Sequence, residues 1–199
     1  MRRLGLTGSI ATGKSTVLKE FETAGIPVFS ADEAVHRLYA GDAREPIAAL
    51  FPGVVRDGEV DRQALAAQVL GQPERLAALE GLVHPMVRSA IAGFLERAEA
   101  SGAQLAVVDI PLLFESGHDW GFDAVIVTAC TPQMQRQRAL ARPGMTAEKL
   151  DAILARQMPQ AEKIARAEHV VDTSGSFDDT RAAVAAIIAQ ETQMTRSPS

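Results

Sequence analysis

Eight residues near the amino terminus, Gly8-Ser9-Ile10-Ala11-Thr12-Gly13-Lys14-Ser15, follow the spacing G-x-x-x-x-G-K-[ST]. In such a run the two glycines let the backbone curl until successive N–H groups face one concavity. A helix opening at Lys14 adds its unpaired N–H groups and the positive end of its dipole. The guest such a cradle fits is a polyphosphate. Lys14 can reach the β- and γ-phosphates as a point charge, and the Ser15 hydroxyl can complete the octahedral oxygen shell of a Mg²⁺ that bridges them. The context is the one the motif requires, with the apolar run Arg3-Leu4-Gly5-Leu6-Thr7 before it and a helix-forming stretch over 14–24 after it.

A phosphate loop needs an acid at the end of a neighbouring strand to hold the metal from the other side. Asp109 ends the run Leu105-Ala106-Val107-Val108 and is the candidate; a carboxylate capping a loop is the alternative. Asp32 follows an expected strand over 26–30. Ligands of parallel sheets bind at the carboxyl ends of strands, which makes Asp32 a candidate for the acceptor, but it is equally placed to be the N-cap of a helix from Glu33 onward. Between 133 and 166 stand seven basic residues against three acidic. With Arg138, Arg142 and Arg156 in it, this segment reads either as a lid that clamps a nucleotide and excludes water or as a solvated helix face. His84 and Arg88 lie four apart on one helix face, where they could receive a second anionic substrate or simply face solvent.

The elements that must position these residues alternate between buried-strand and helical patterns, which predicts an α/β fold: a parallel sheet of about five strands flanked by helices. Strands are expected near 2–7, 26–30, 104–109, 123–129 and 168–172. The second and third are separated by helical patterns at 32–40, 61–70 and 73–99, too long for a simple crossover and expected to form a helical insertion over 33–99. Within it His84-Pro85 predicts a kink or a restart. Residues 132–166, with a Pro143-Gly144 turn and Thr146 as an N-cap, predict two or three mobile helices, and a last helix is expected over 178–190 with a frayed tail from 193 to 199.

With 199 residues and 47% hydrophobic content the chain predicts one domain with insertions. The net charge of −5 argues against a nucleic-acid partner. No run approaches the roughly 20 apolar residues of a membrane span, and no signal-peptide core follows Met1-Arg2-Arg3, so no membrane partner and a cytoplasmic location are expected. The lone Cys130 allows no internal disulfide and reads as a small buried residue at a strand end. Guanine-specific switches need an [NT]-K-x-D strand-end motif; the chain contains no asparagine, and Glu148-Lys149-Leu150-Asp151 falls in a helical pattern.

Taken together the motifs resemble those of the dephospho-coenzyme A kinase family, a P-loop kinase family, over the whole chain. The resemblance is carried by the phosphate loop extended to Thr16, Ala31-Asp32, Leu82-Val83-His84-Pro85 with Arg88, and Asp109-Ile110-Pro111-Leu112-Leu113-Phe114-Glu115. It continues through Gln135-x-x-Arg138-x-x-x-Arg142, Arg156-Gln157, Lys163 and Val170-Val171-Asp172-Thr173-Ser174-Gly175. It implies transfer of the ATP γ-phosphoryl group to the ribose 3′-hydroxyl of dephospho-coenzyme A, the last step of coenzyme A synthesis, with Mg²⁺ as cofactor and a monomeric enzyme. It further implies that Gly8, Ala11, Thr12, Gly13, Lys14, Ser15 and Thr16 hold the nucleotide, with Ser15 and Asp109 on the metal. Lys14, Asp32 and Arg142 would act on the moving group, Asp32 by accepting or orienting the 3′-hydroxyl proton.

By the same resemblance Pro111, Leu112, Leu113 and Glu115 shape the acceptor site, and His84 and Arg88 belong to an acceptor-binding insertion. Arg138 and Arg142 belong to the lid, and the turn beginning at Thr173 meets the adenine edge. Ser30 stands where many members carry Asp, and Thr173 where Asn is frequent. Two other readings remain beside this one: a nucleoside or nucleotide kinase of similar architecture, and an ATP-dependent switch whose arginine-rich segment is a partner surface.

Overall fold

Residues 1–196 are described by a computed structural model. Their elements run β1 (Arg2–Gly8), α1 (Lys14–Thr23), β2 (Val28–Ser30), α2 (Ala31–Ala40), α3 (Arg44–Leu50), β3 (Val55–Arg56), β4 (Glu59–Val60), α4 (Arg62–Val69) and α5 (Pro73–Ala100). They continue with β5 (Leu105–Asp109), β6 (Ala124–Ala129), α6 (Pro132–Leu140), α7 (Ala147–Leu154), α8 (Gln160–Ala165), β7 (His169–Asp172) and α9 (Phe177–Arg196).

One unit comprises Met1–Phe29 and the chain from Leu95 onward. Its sheet has the order β2-β5-β1-β6-β7. The five strands are those expected, with ends shifted by a residue or two. β1 is the central strand, and its residues from Leu4 to Gly8 are all buried, as a continuous apolar run covered on both faces should be. Leu4, Leu6, Val107 and Ile126 pack with Val17 and Phe21 of α1, and Val184 and Ile187 of α9 join the same core. The register sets the chemistry: Leu6 lies beside Asp109 on β5, and Gly8 lies beside Thr128 on β6.

Helix α9 opens on a reciprocal cap. The Ser176 hydroxyl accepts from the Asp179 N–H at 3.1 Å, while Asp179 accepts from the Ser176 N–H at 2.8 Å. The helix runs to Arg196, which corrects the expected fraying from residue 193; residues 197–199 lie outside those described. The late turns are held because Glu191, 1% exposed, pairs with Arg2 at the start of β1 and with His169 at 2.6 Å.

A second unit, Ser30–Phe94, carries α2, α3, α4, most of α5 and an antiparallel hairpin of β3 and β4, pairing Val55 with Val60 and Arg56 with Glu59. The hairpin and α3 were not expected from the sequence. Asp57-Gly58 supplies the hairpin turn, both residues having positive φ (52° and 82°), the two-residue geometry that matches strand twist. Strands of two residues carry no readable alternation, and a seven-residue helix too little periodicity.

Helix α5 runs unbroken over 28 residues with Pro85 inside it, so the expected restart does not occur. The proline removes a single hydrogen bond, while Leu79, Val83, Val87, Ile91 and Leu95 keep a buried row at four-residue spacing on both sides of it.

Candidate functional site

Strand β1 delivers the chain into the phosphate loop, and the two glycines of the motif serve different physical ends. Gly13 has φ 85°, a left-handed conformation that suits glycine, and it begins α1 without a side-chain cap. Gly8 is a strand residue whose requirement is space, since a Cβ there would lie 2.1 Å from Thr128 Oγ1 and 2.7 Å from Thr12 Oγ1. This corrects the expectation that both glycines serve curvature. Between them Ala11 also has positive φ, 61°, which is strained for a residue with a Cβ.

The first N–H groups of α1, on Lys14 and Ser15, have no hydrogen-bond partner among the described residues, the open donor set an anion needs. Ser15 is exposed, and Thr16 follows it half-buried on the helix. The Lys14 ammonium is paired with the carboxylate of Asp109, which ends β5 and is 4% exposed. Lys14, Ser15 and Asp109 thus belong to one unit, and the β1–β5 register is what brings the acid to the loop.

Side chains distant in sequence hold the loop from outside. The Thr12 hydroxyl donates to Ser9 O at 2.8 Å and lies 2.7 Å from Thr128 Oγ1. The Thr173 hydroxyl lies 2.9 Å from Thr12 O, and its backbone N–H donates to Ala129 O. Arg138 donates to both Thr173 Oγ1 (3.0 Å) and Thr173 O (2.8 Å). Thr173 is 5% exposed, and its hydroxyl, N–H and carbonyl are all engaged, which anchors it against the loop. The 132–166 segment reaches the loop as well: Ala139 and Leu150 pack on Ala11 in a small apolar cluster, with Ile10, Met145 and Leu154 around it.

That segment forms three helices, and Thr146 is the N-cap of α7, accepting from Lys149 N at 3.3 Å. Arg142, in the turn after α6, and Arg156 are exposed. Of the residues after β5, Leu112 is 48% exposed and Leu113 buried, while Pro111 O accepts from the Thr7 hydroxyl at 3.1 Å. Glu115 is turned inward. Its Oε1 accepts from Met158 N at 2.9 Å and lies 2.8 Å from Nζ of Lys163, whose side chain is fully buried. The Lys163 contact is close but poorly aligned, an ion pair rather than a hydrogen bond, and Glu115 Oε2 has no hydrogen-bond partner among the described residues. Burial pushes the Glu115 carboxyl up; the Lys163 ammonium and the Met158 N–H outweigh it, and the net direction is down. Burial pushes the Cys130 thiol up, with Arg138 opposing it, as suits a buried strand-end cysteine rather than a nucleophile.

In the other unit, the cap of α2 is Ser30, whose hydroxyl accepts from Glu33 N at 3.4 Å. Asp32 is therefore not the N-cap; it sits in the first turn with its side chain exposed, and the alternative left open by the sequence is decided against capping. His84 is exposed and Arg88 half-buried, one turn apart on α5. Sequence reasoning gave no role to Thr128, Gln135 or Gln157, all of which touch the loop. The only signal for the glutamines was their presence in the motifs that carry the family resemblance.

Ser15 and Asp109 offer the hard oxygen donors that suit Mg²⁺. The phosphate loop, its open N–H donors and the strand-end acid on a five-stranded parallel sheet define a P-loop kinase. The model of the dephospho-CoA kinase family matches residues 2–179, and the chain belongs to that family. It is 56% identical over 185 residues to the dephospho-CoA kinase of Brucella melitensis, covering 93% of this chain and 92% of that one. To the dephospho-CoA kinase of Rhodopseudomonas palustris it is 53% identical, covering 97% of each. The solved dephospho-CoA kinase of Campylobacter jejuni superimposes with a TM-score of 0.74 at 26% identity, covering 98% of this chain and 99% of that one. Among the described residues no helix is long and apolar enough to cross a membrane.

Proposed function

We propose that the protein transfers the γ-phosphoryl group of ATP to the 3′-hydroxyl of dephospho-coenzyme A, giving coenzyme A. The observation that carries this reading is the family match over residues 2–179. It is supported by a phosphate loop whose open N–H groups stand beside the Lys14–Asp109 pair.

Phosphoryl transfer passes through a loose transition state, so the protein's work is positioning and neutralising charge. The N–H groups at the start of α1 hold the polyphosphate, and Lys14 follows the charge that develops on the transferred group. Ser15 and Asp109 would hold Mg²⁺, whose charge would offset that of the polyphosphate. Lys14 turns from Asp109 toward phosphate when nucleotide binds, since a polyphosphate offers it more negative charge than one carboxylate. Asp32, matched to the family pattern, orients the acceptor hydroxyl and takes its proton late in the transfer, as a carboxylate is a weak base. Arg142 screens the transferring group and helps exclude water, while His84 and Arg88 take the acceptor's anionic groups. The 33–99 insertion and the 132–166 segment act as acceptor-binding region and lid.

The test is ADP release coupled to formation of coenzyme A, with ATP and dephospho-coenzyme A, against nucleosides and nucleoside monophosphates as competing acceptors. Turnover with dephospho-coenzyme A and little with the others is expected. Efficient phosphorylation of a nucleoside instead would overturn the acceptor assignment.

A further inference from the structure

Ile10 stands at the apex of the phosphate loop with both of its backbone polar groups held by side chains of the 132–166 segment. Its N–H donates to Gln157 Oε1 at 3.0 Å, and its carbonyl accepts from Gln135 Nε2 at 2.9 Å. We infer that Gln135 and Gln157 are positioning residues that lock the phosphate loop in its nucleotide-receiving shape, a role that rests on the nucleotide site proposed above.

The physical need for such a lock is at the next residue. Ala11 has φ 61°, and a residue with a Cβ relaxes from that region unless its surroundings forbid it. The easiest relaxation is a flip of the peptide plane joining Ile10 to Ala11, which changes φ at Ala11 and swings the Ile10 carbonyl away. Gln135 opposes that flip because it grips the same carbonyl. Gln157 pins the preceding peptide through the Ile10 N–H, and the carbonyl of that peptide, Ser9 O, is itself held by the Thr12 hydroxyl at 2.8 Å. Both peptide planes flanking Ile10 are fixed.

The glutamines are themselves anchored. Gln135 is 9% exposed on α6. Gln157 precedes Met158, whose N–H donates to Glu115, and Glu115 is paired with the buried Lys163. A continuous set of contacts therefore runs from the loop after β5 through 157–158 to the apex of the phosphate loop, and the segment that carries Arg138 and Arg142 also sets the loop's shape. Glu115 enters as an anchor of Gln157, which accounts for a carboxylate turned away from solvent.

Methionine matches glutamine in shape but cannot make these bonds, so Gln135→Met and Gln157→Met keep the packing and remove the lock. Calorimetric titration with MgADP, without acceptor, should show affinity about 3- to 10-fold weaker in each variant, the scale of one net hydrogen bond. The KM for ATP should rise in parallel, the KM for dephospho-coenzyme A should stay within about twofold, and the nucleotide-free Tm should stay within a few degrees. Adding Ala11→Gly to either variant should recover at least half of the lost affinity on a logarithmic scale, because glycine reaches positive φ without strain. Gln137→Met, at an exposed glutamine on the same helix, should bind MgADP as wild type does.

Wild-type affinity in both Met variants overturns the inference and leaves the nucleotide site standing. A loss of affinity that Ala11→Gly does not recover, or one accompanied by a parallel fall in Tm, assigns the effect to general loosening and also overturns it. A wild-type protein that binds no MgADP removes the nucleotide reading and this inference together.

Discussion

The ammonium of Lys14 rests on the carboxylate of Asp109, so the main cation of the phosphate loop is held by the acid that ends β5. The pair joins the first residue of α1 to the end of β5, where the β1–β5 register sets Asp109 beside Leu6, and it sets opposite charges together at an acid that is 4% exposed. Removing either partner should therefore affect chemistry and stability through different observables. Lys14→Ala should lower kcat by about 100-fold or more, the scale of a lost preorganised charge donor. Asp109→Asn should raise the Mg²⁺ concentration needed for half-maximal turnover, since an amide supplies no charge to the metal. Steady-state kinetics across a Mg²⁺ titration checks both; activity within a few-fold of wild type in Lys14→Ala removes the phosphate-cradle reading.

Ser30 and Asp32 should separate cleanly, because the structure gives the capping of α2 to Ser30. Ser30→Ala should lower stability by about 0.5–1 kcal/mol, the lower part of the capping range given a 3.4 Å bond, with turnover little changed. Asp32→Asn should leave Tm unchanged and reduce turnover by roughly 100-fold, with ATP affinity preserved. Thermal melts and single-turnover kinetics on the two variants decide it. A silent Asp32→Asn withdraws that residue from the reaction.

Arg142 is exposed in the turn after α6, where it is available to close over phosphate. Arg142→Ala should slow transfer and raise the proportion of ATP lost to water, because an incompletely closed site admits the competing nucleophile. The readout is the ratio of ADP released to acceptor phosphorylated. An unchanged ratio at unchanged turnover would make this arginine a solvated surface residue.

Acid should destabilise the fold through two ion-paired glutamates, the buried Glu191 and the half-buried Glu115. Burial pushes the Glu191 carboxyl up, but hydrogen bonds and charge from Arg2 and His169 outweigh it and the net direction is down; Glu115 is depressed likewise by Lys163 and the Met158 N–H. A depressed folded-state value means the stabilisation is present above the unfolded value, 4.5, and is lost as pH falls through the folded one. Melting temperature should hold between pH 7 and about pH 5 on account of these groups and drop below about pH 4.5. Glu191→Gln should lower Tm at pH 7, and its deficit against wild type should shrink toward pH 3. A constant deficit across that range would show that the pair does not titrate with folding.

The sequence alone determined the phosphate loop, the five strands and their alternation with helices, because each is written in contiguous residues whose spacing or apolar run is its own signal. Thr146 as a helix cap was legible for the same reason. What only the tertiary structure decided is which polar groups meet. Gly8 must be glycine because the β1–β6 register sets Thr128 against it, 120 residues along the chain. Thr173 and Thr12 are 161 residues apart, Gln157 and Ile10 147 apart, and Gln135 and Ile10 125 apart, so no local pattern could announce them. A glutamine on a polar helix looks the same whether it faces water or grips a loop; the parallel strand order and the packing of Ala139 and Leu150 on Ala11 select the second. Whether Asp32 caps α2 was local yet undecided, since aspartate caps well and only the backbone shows that Ser30 is the residue preceding the first helical turn.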